Sequence, residues 1–241
     1  MRYGIIGDIH GNLTALKVVL EKLEEEEEIE DLLCVGDVVG YAAYPSECLE
    51  IIREKASAVV AGNHDWAVAG KLDTSCFNAD ARDSAKWTRN NLSDEDIKWL
   101  SDLPLVTTVD GITLTHSTLY SPEYFDYIQT RYQANLCFQH LDGKVAFYGH
   151  SHVPVIFVDD DPIEYFLRPQ YTIPEANKAL VNVGSVGQPR DMDPRASYCV
   201  YDSDSATVYL KRIEYDIEEA SEAIEEAGLP KANARRLEHG R

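Results

Sequence analysis

Five short runs in this chain end in side chains that can hold a cation or move a proton: Asp8-Ile9-His10, Asp37, Asn63-His64, His116 and His150-Ser151-His152. Carboxylate and imidazole donors that converge on one point suit a divalent metal in a mixed nitrogen and oxygen site. Each run is weak alone, because acidic strand ends and single histidines are common in ordinary structure. Taken together they are not scattered, since five of the seven histidines fall in these runs, four of them beside a glycine or carboxylate motif. No cysteine belongs to the set, which argues against structural zinc. Asp8 and His10 stand two apart, so an extended backbone would send both side chains to one face. No nucleophile triad and no phosphate-cradling P-loop accompany them.

The residues before each run explain how separate segments could meet. Arg2–Ile6, Leu32–Val35, Ala58–Ala61, Ile112–Thr115 and Lys144–Tyr148 are short apolar runs that read as buried strands. Asn12 caps a helix marked by Leu13, Leu16, Leu20 and Leu23, and a second helix spans Ser46–Lys55. This alternation predicts a mainly parallel sheet with right-handed crossovers, and in such sheets ligands collect at the carboxyl ends of the strands. Residues 71–103 read as a helical cap, mostly helical from Asn78 to Trp99. From Leu105 the pattern turns to period two, with a hairpin Val106–Val109 and Ile112–Thr115. Helices follow at Gln129–Leu141 and Ile217–Ala227, and strands at Val155–Val158, Glu164–Leu167, Ala179–Val183, Ser197–Tyr201 and Thr207–Lys211. Lys231–Arg241 reads as a polar, loosely held tail. With no repeat and no linker, the expectation is one domain over residues 1–241.

A chain of 241 residues, 44% hydrophobic and 27% charged, can bury a large core. No apolar run approaches the roughly twenty residues of a membrane span, and no signal peptide is visible at the start. Five dispersed cysteines without CxxC spacing read as buried hydrophobes in a reducing compartment, so the expected location is cytoplasmic. The net charge of −20 opposes binding of long nucleic acid, whereas a small anionic substrate stays admissible if bound cations reverse the local sign. Glu24–Glu28 reads as the solvated end of the first helix, and Asp159–Asp161 as a hairpin turn.

The order and spacing of the runs resemble the calcineurin-like metallophosphoesterase superfamily: Gly7-Asp8-Ile9-His10, Gly36-Asp37, Gly62-Asn63-His64-Asp65, His116 and Gly149-His150-Ser151-His152. Two further segments, Gly36–Tyr41 and Val183–Arg190, resemble its small bacterial and archaeal branch of phosphodiesterases and relatives of diadenosine tetraphosphatases. The resemblance implies a four-layer α/β/β/α sandwich of two mixed sheets flanked by helices. It implies one metal on Asp8, His10, Asp37 and His152 and a second on Asp37, Asn63, His116 and His150, with Asp37 bridging. It also implies that His64 contacts the phosphate and protonates the leaving oxygen. Two ions about 3.5–4 Å apart would acidify a water into a hydroxide nucleophile. Mn²⁺ is the expected ion, with Fe, Co, Ni or Zn as alternatives, because imidazole ligands disfavour Mg²⁺ alone.

The chain departs from the protein-phosphatase branch, whose Gly-Asp-x-x-Asp-Arg-Gly block is here Gly36-Asp37-Val38-Val39-Gly40-Tyr41. The phosphate-binding arginine of that block is therefore missing, and Arg190 is the expected replacement. Tyr41 is the expected ring for stacking on a base. The expected reaction is hydrolysis of a phosphodiester or phosphoanhydride, such as a dinucleoside polyphosphate. The alternatives are a phosphomonoesterase or nuclease on nucleic-acid ends, and a scaffold that keeps the fold without turnover. The resemblance also admits a homo-oligomer.

Overall fold

A computed structural model describes residues 1–241. Its centre is two six-stranded sheets lying face to face. The first runs β3-β2-β1-β11-β12-β9, built from β1 (Arg2–Ile6), β2 (Asp31–Cys34), β3 (Ala58–Val59), β9 (Gln170–Thr172), β11 (Ala196–Asp202) and β12 (Thr207–Ile213). The second runs β4-β5-β6-β10-β7-β8, from β4 (Val106–Val109), β5 (Ile112–Thr115), β6 (Val145–Tyr148), β7 (Val155–Val158), β8 (Glu164–Phe166) and β10 (Ala179–Asn182). Both sheets are mixed: β1, β2 and β3 are parallel neighbours, as are β5, β6 and β10, while the remaining pairings are antiparallel.

The two-residue period of the strands builds the layers. Tyr3 and Ile5 of β1 join Val145 and Phe147 of β6 and Ala179 and Val181 of β10 in the apolar layer between the sheets. The alternate residues face outward. Ile6 packs under α1 (Leu13–Glu25), α2 (Pro45–Lys55), α7 (Ile217–Glu226) and α8 (Lys231–His239). On the other side Ala146, Tyr148 and Leu180 pack under α6 (Arg131–Phe138). The result is the helix–sheet–sheet–helix sandwich of two mixed sheets that the family resemblance implies, rather than the mainly parallel sheet that the strand–helix alternation alone predicts.

Several local expectations shift. β3 stops at Val59 because the amide of Ala61 leaves the sheet and donates to the carbonyl of Pro104 at 2.8 Å. Asn63 then opens a short helix, α3 (Asn63–Ala69). Segment 71–103 forms α4 (Ala79–Asn91) and α5 (Asp94–Asp102), broken where Ser93 caps the second helix. Trp87 of α4 donates to the carbonyl of Ala227 at 3.0 Å, which ties this segment to the helical layer. The tail is not loose, because Lys231–His239 is helical and buries Asn233, Ala234 and Leu237. Glu27 is not solvated either: it is buried and paired with Arg2 and Lys211.

Candidate metal centre

The parallel strands β1, β2 and β3 of one sheet and β5 and β6 of the other deliver their carboxyl ends to one rim. Asp8 and His10 follow β1, Asp37 follows β2, Asn63 and His64 follow β3, His116 follows β5, and His150 and His152 follow β6. The backbone at these exits is not extended. Asp8, His10, Asp37, His150 and His152 all have left-handed φ, between 49° and 67°. Convergence of Asp8 and His10 therefore comes from tight turns rather than from strand alternation, at about 1 kcal/mol or more per residue. Two motif glycines leave room for the carboxylates: a Cβ at Gly62 would lie 2.0 Å from Asp37 Oδ1, and one at Gly149 would lie 2.4 Å from Asp8 Oδ2.

Hydrogen bonds aim each donor inward. His10 Nδ1 faces the carbonyl of Val39 at 3.1 Å, His116 Nδ1 that of Val35 at 2.8 Å, and His152 Nδ1 that of Gln188 at 2.5 Å. A carbonyl only accepts, so in each ring Nδ1 carries the proton and Nε2 presents a lone pair to the centre. His152 Nε2 lies 3.3 Å from Asp8 Oδ1, and His116 Nε2 lies 3.3 Å from Asp37 Oδ2. His10 Nε2 and His152 Nε2 face each other at 3.2 Å. Two opposed lone pairs beside two buried carboxylates repel unless positive charge lies among them.

Donors with no partner point the same way. Asp37 Oδ2, Asn63 Oδ1 and His116 Nε2 are buried without a hydrogen bond, a costly state that a cation relieves. The ligand atoms fall into two compact groups, Asp8–His10–His152 and Asp37–His116–His150, each within 4.8 Å. A third group of the same span, His10–Asp37–His64, places His64 at the same mouth. This donor set fits divalent metal.

The charges respond accordingly. Burial pushes Asp8 up to about 7; His116 pulls it back, and the neighbouring Asp37 adds to the rise. Burial also opposes ionisation of Asp37, yet His116, His64 and His10 together hold its carboxyl well below the usual range. On His116 burial is outweighed by Asp37 and Asp8, which raise the ring to about 9. Burial keeps His10 and His152 far below their ordinary value and pushes His150 down to about 3. Of the rim histidines, His116 is the one whose ring the two carboxylates push up rather than burial pushing it down.

Asp65 received no role from sequence pattern, yet it organises the site. Its carboxylate accepts from the amides of Gly62 (2.9 Å), Asp37 (2.8 Å), Val38 (3.0 Å) and Val39 (3.2 Å), locking the β2 turn onto α3. The amide of His64 donates to Asp37 Oδ1 at 2.8 Å, which leaves Oδ2 open. In the Val183–Arg190 turn, Ser185 Oγ donates to the carbonyl of Asp8 at 2.7 Å, and Arg190 donates to Gln188 Oε1 at 2.8 Å. Arg190 therefore stands beside the centre, with its guanidinium 5.6 Å from the Tyr41 ring. Tyr41 does not fit the stacking role expected for it. The ring is 4% exposed and lies 4.7 Å from His10 and 4.5 Å from His64, so no flat face is open to a base.

Comparison with known proteins adds an independent line. Residues 1–206 match the calcineurin-like phosphoesterase superfamily domain. An uncharacterised protein of Methanocaldococcus jannaschii is 37% identical over 98% of this chain and 97% of its own length. The crystal structure of a metallophosphoesterase from Sphaerobacter thermophilus, 35% identical, superposes with a TM-score of 0.89 over 100% of this chain and 99% of that one. A symmetrical bis(5'-nucleosyl)-tetraphosphatase of Haemophilus influenzae is 31% identical across 49% of this chain and 44% of its own length, so the likeness spans less than half of that enzyme.

Proposed function

Because the chain belongs to the calcineurin-like phosphoesterase superfamily, we propose that it hydrolyses a small phosphodiester or phosphoanhydride, of which a dinucleoside polyphosphate is the preferred class. The observation that carries this reading is the inward aim of His10, His116 and His152 around Asp8 and Asp37. Two divalent ions, with Mn²⁺ preferred, would be held by Asp8, His10, Asp37 and His152 and by Asp37, Asn63, His116 and His150. Bound there, such ions supply Lewis acidity for the phosphate and acidify a water.

The other residues orient and exchange protons. Asp37 serves as the shared ligand because Oδ1 is tied to the His64 amide and Oδ2 has no other partner. Arg190 clamps phosphate oxygens, for which a guanidinium fork is matched. Tyr41 packs against His64, with ring centroids 4.5 Å apart. His64 Nδ1 is sealed against Gly40, where a Cβ would come within 2.7 Å, so Nε2 is the atom that meets the leaving oxygen. Burial lowers this ring to about 4. The acid role therefore requires the anionic phosphate to lift it on binding. Segment 71–103 borders the mouth through Cys76, Phe77 and Asn78 and acts as the cap.

The deciding experiment combines metal analysis with a screen of diesters, monoesters and dinucleoside polyphosphates on the Mn²⁺-loaded protein. Turnover of diesters or polyphosphates with stoichiometric metal is expected. Stoichiometric metal without turnover of any ester would leave a scaffold, and preference for oligonucleotide ends would replace this reading with a nuclease.

A further inference from the structure

A cavity of about 230 Å³ opens beside Asn63, His64 and His150. Its far wall is made by Phe77, Tyr124, Phe125 and Tyr127, and no Lys, Arg, Asp or Glu lines it. Tyr124 is 72% exposed and Tyr127 42%, which leaves large aromatic surface open next to a buried polar centre. The Tyr127 ring lies flat on His150, with centroids 4.3 Å apart and planes 18° from parallel. The cavity therefore continues directly from the residues proposed to hold metal.

The backbone holds these rings in place. Phe125 has φ 54°, a left-handed conformation that is costly for a bulky side chain. It persists because the ring is buried against Trp66 at 5.6 Å and His116 at 6.1 Å. With Phe125 anchored inward, its neighbours Tyr124 and Tyr127 are carried to the cavity side.

The chemistry of the wall selects its occupant. Without a cation the cavity has nothing to offer a second phosphate, whereas aromatic faces stack on any planar ring. The volume lies below the roughly 300 Å³ at which pockets for whole drug-sized ligands begin. One ring system fits, with its sugar and phosphate left over the histidine rim. Asn78, also in the wall, offers an amide to a ring edge.

We propose that this cavity is a nucleobase subsite, in which Phe77, Tyr124 and Tyr127 stack on the base of the ester being cleaved. The subsite rests on the phosphohydrolase reading and narrows its substrates to nucleotidyl esters and anhydrides. It also moves base recognition from the buried Tyr41 to the aromatic segment 124–127.

The test is calorimetric binding of adenosine 5'-monophosphate and of ribose 5-phosphate to the full Mn²⁺-loaded chain. The two probes share the phosphate and sugar and differ in the base. Stacking of this kind should favour the nucleotide by roughly tenfold or more in the unaltered protein. Tyr124→Ala should bring that ratio to within about twofold, and Tyr124→Phe, which keeps the ring, should restore it. A nucleotide bound no better than ribose 5-phosphate, or a ratio unmoved by Tyr124→Ala, would overturn the subsite. If diesters are still turned over in that case, the phosphohydrolase reading stands without it. If neither probe binds and no ester is turned over, both fall together.

Discussion

The Nδ1 bonds of His10, His116 and His152 do more than fix three tautomers, because they leave only Nε2 to meet a ligand at the rim. His64 has no such bond, its Nδ1 being buried without a partner, and the proposed reading sets it beside the ligands rather than among them. Its substitution should accordingly spare metal and strike chemistry. His64→Ala is expected to keep full metal content by elemental analysis. It should lose about 10²–10⁴-fold in kcat on an alkyl ester, and much less on a nitrophenyl ester whose leaving group needs no proton. Equal losses on the two esters would rule out the acid role. Asp65 gives the complementary case. Asp65→Asn keeps the shape, but its amino group cannot accept, so two of the four backbone amides lose their partner. At about 1–3 kcal/mol for each buried donor, urea unfolding should show a loss of about 2–6 kcal/mol. An unchanged midpoint would mean that the β2 turn holds without this carboxylate.

At the scale of elements, sequence pattern revealed what depends on periodicity and missed what depends on tertiary partners. The short apolar runs Arg2–Ile6 and Lys144–Tyr148 were enough to read β1 and β6 as buried strands. Their place between the layers, with Tyr3, Ile5, Val145 and Phe147 facing the other sheet, depends on tertiary partners. Four of the five ligand runs were legible because each joins a strand end to a glycine, and His116 because it closes a strand of period two. Their left-handed turns were not, since Asp-x-His alone does not specify φ. β9 escaped notice because Gln170–Thr172 is a polar edge strand that exists only through pairing with β12. Tyr127 escaped for the same reason, as nothing local ties it to His150. The helix α8 was hidden by its charges, although Asn233, Ala234 and Leu237 form one stripe at helical spacing. That helix bears on the site: Asn233 Nδ2 donates to the carbonyl of Tyr41 at 3.0 Å and to Ser84 Oγ at 2.9 Å. Asn233→Ala strands the buried acceptors and should cost about 1–3 kcal/mol in urea unfolding. A change under about 0.5 kcal/mol, the size typical of surface substitutions, would make α8 a passive cover.

For the whole molecule, the centre is where the two sheets meet. β1, β2 and β3 bring Asp8, His10, Asp37, Asn63 and His64 from one sheet, while β5 and β6 bring His116, His150 and His152 from the other. A cation held by both sets ties the sheets together at the rim, beyond the apolar layer that already joins them. It also relieves the repulsion of two buried carboxylates in a chain whose net charge is −20. Metal binding should therefore register as global stability rather than as a local change. A ligand that binds only the folded state at a hundred times its Kd adds about 2.7 kcal/mol. For a chain of this size each kcal/mol moves the midpoint by roughly 2–4 °C, so saturating Mn²⁺ should raise Tm by roughly 5–10 °C over a chelated sample. Asp37→Ala removes the proposed shared ligand, and its Tm should not respond to Mn²⁺. If the unaltered protein melts at the same temperature with chelator and with millimolar Mn²⁺, then these donors do not bind a cation across the two sheets. The opposed lone pairs of His10 and His152 would then have to be balanced by protons alone.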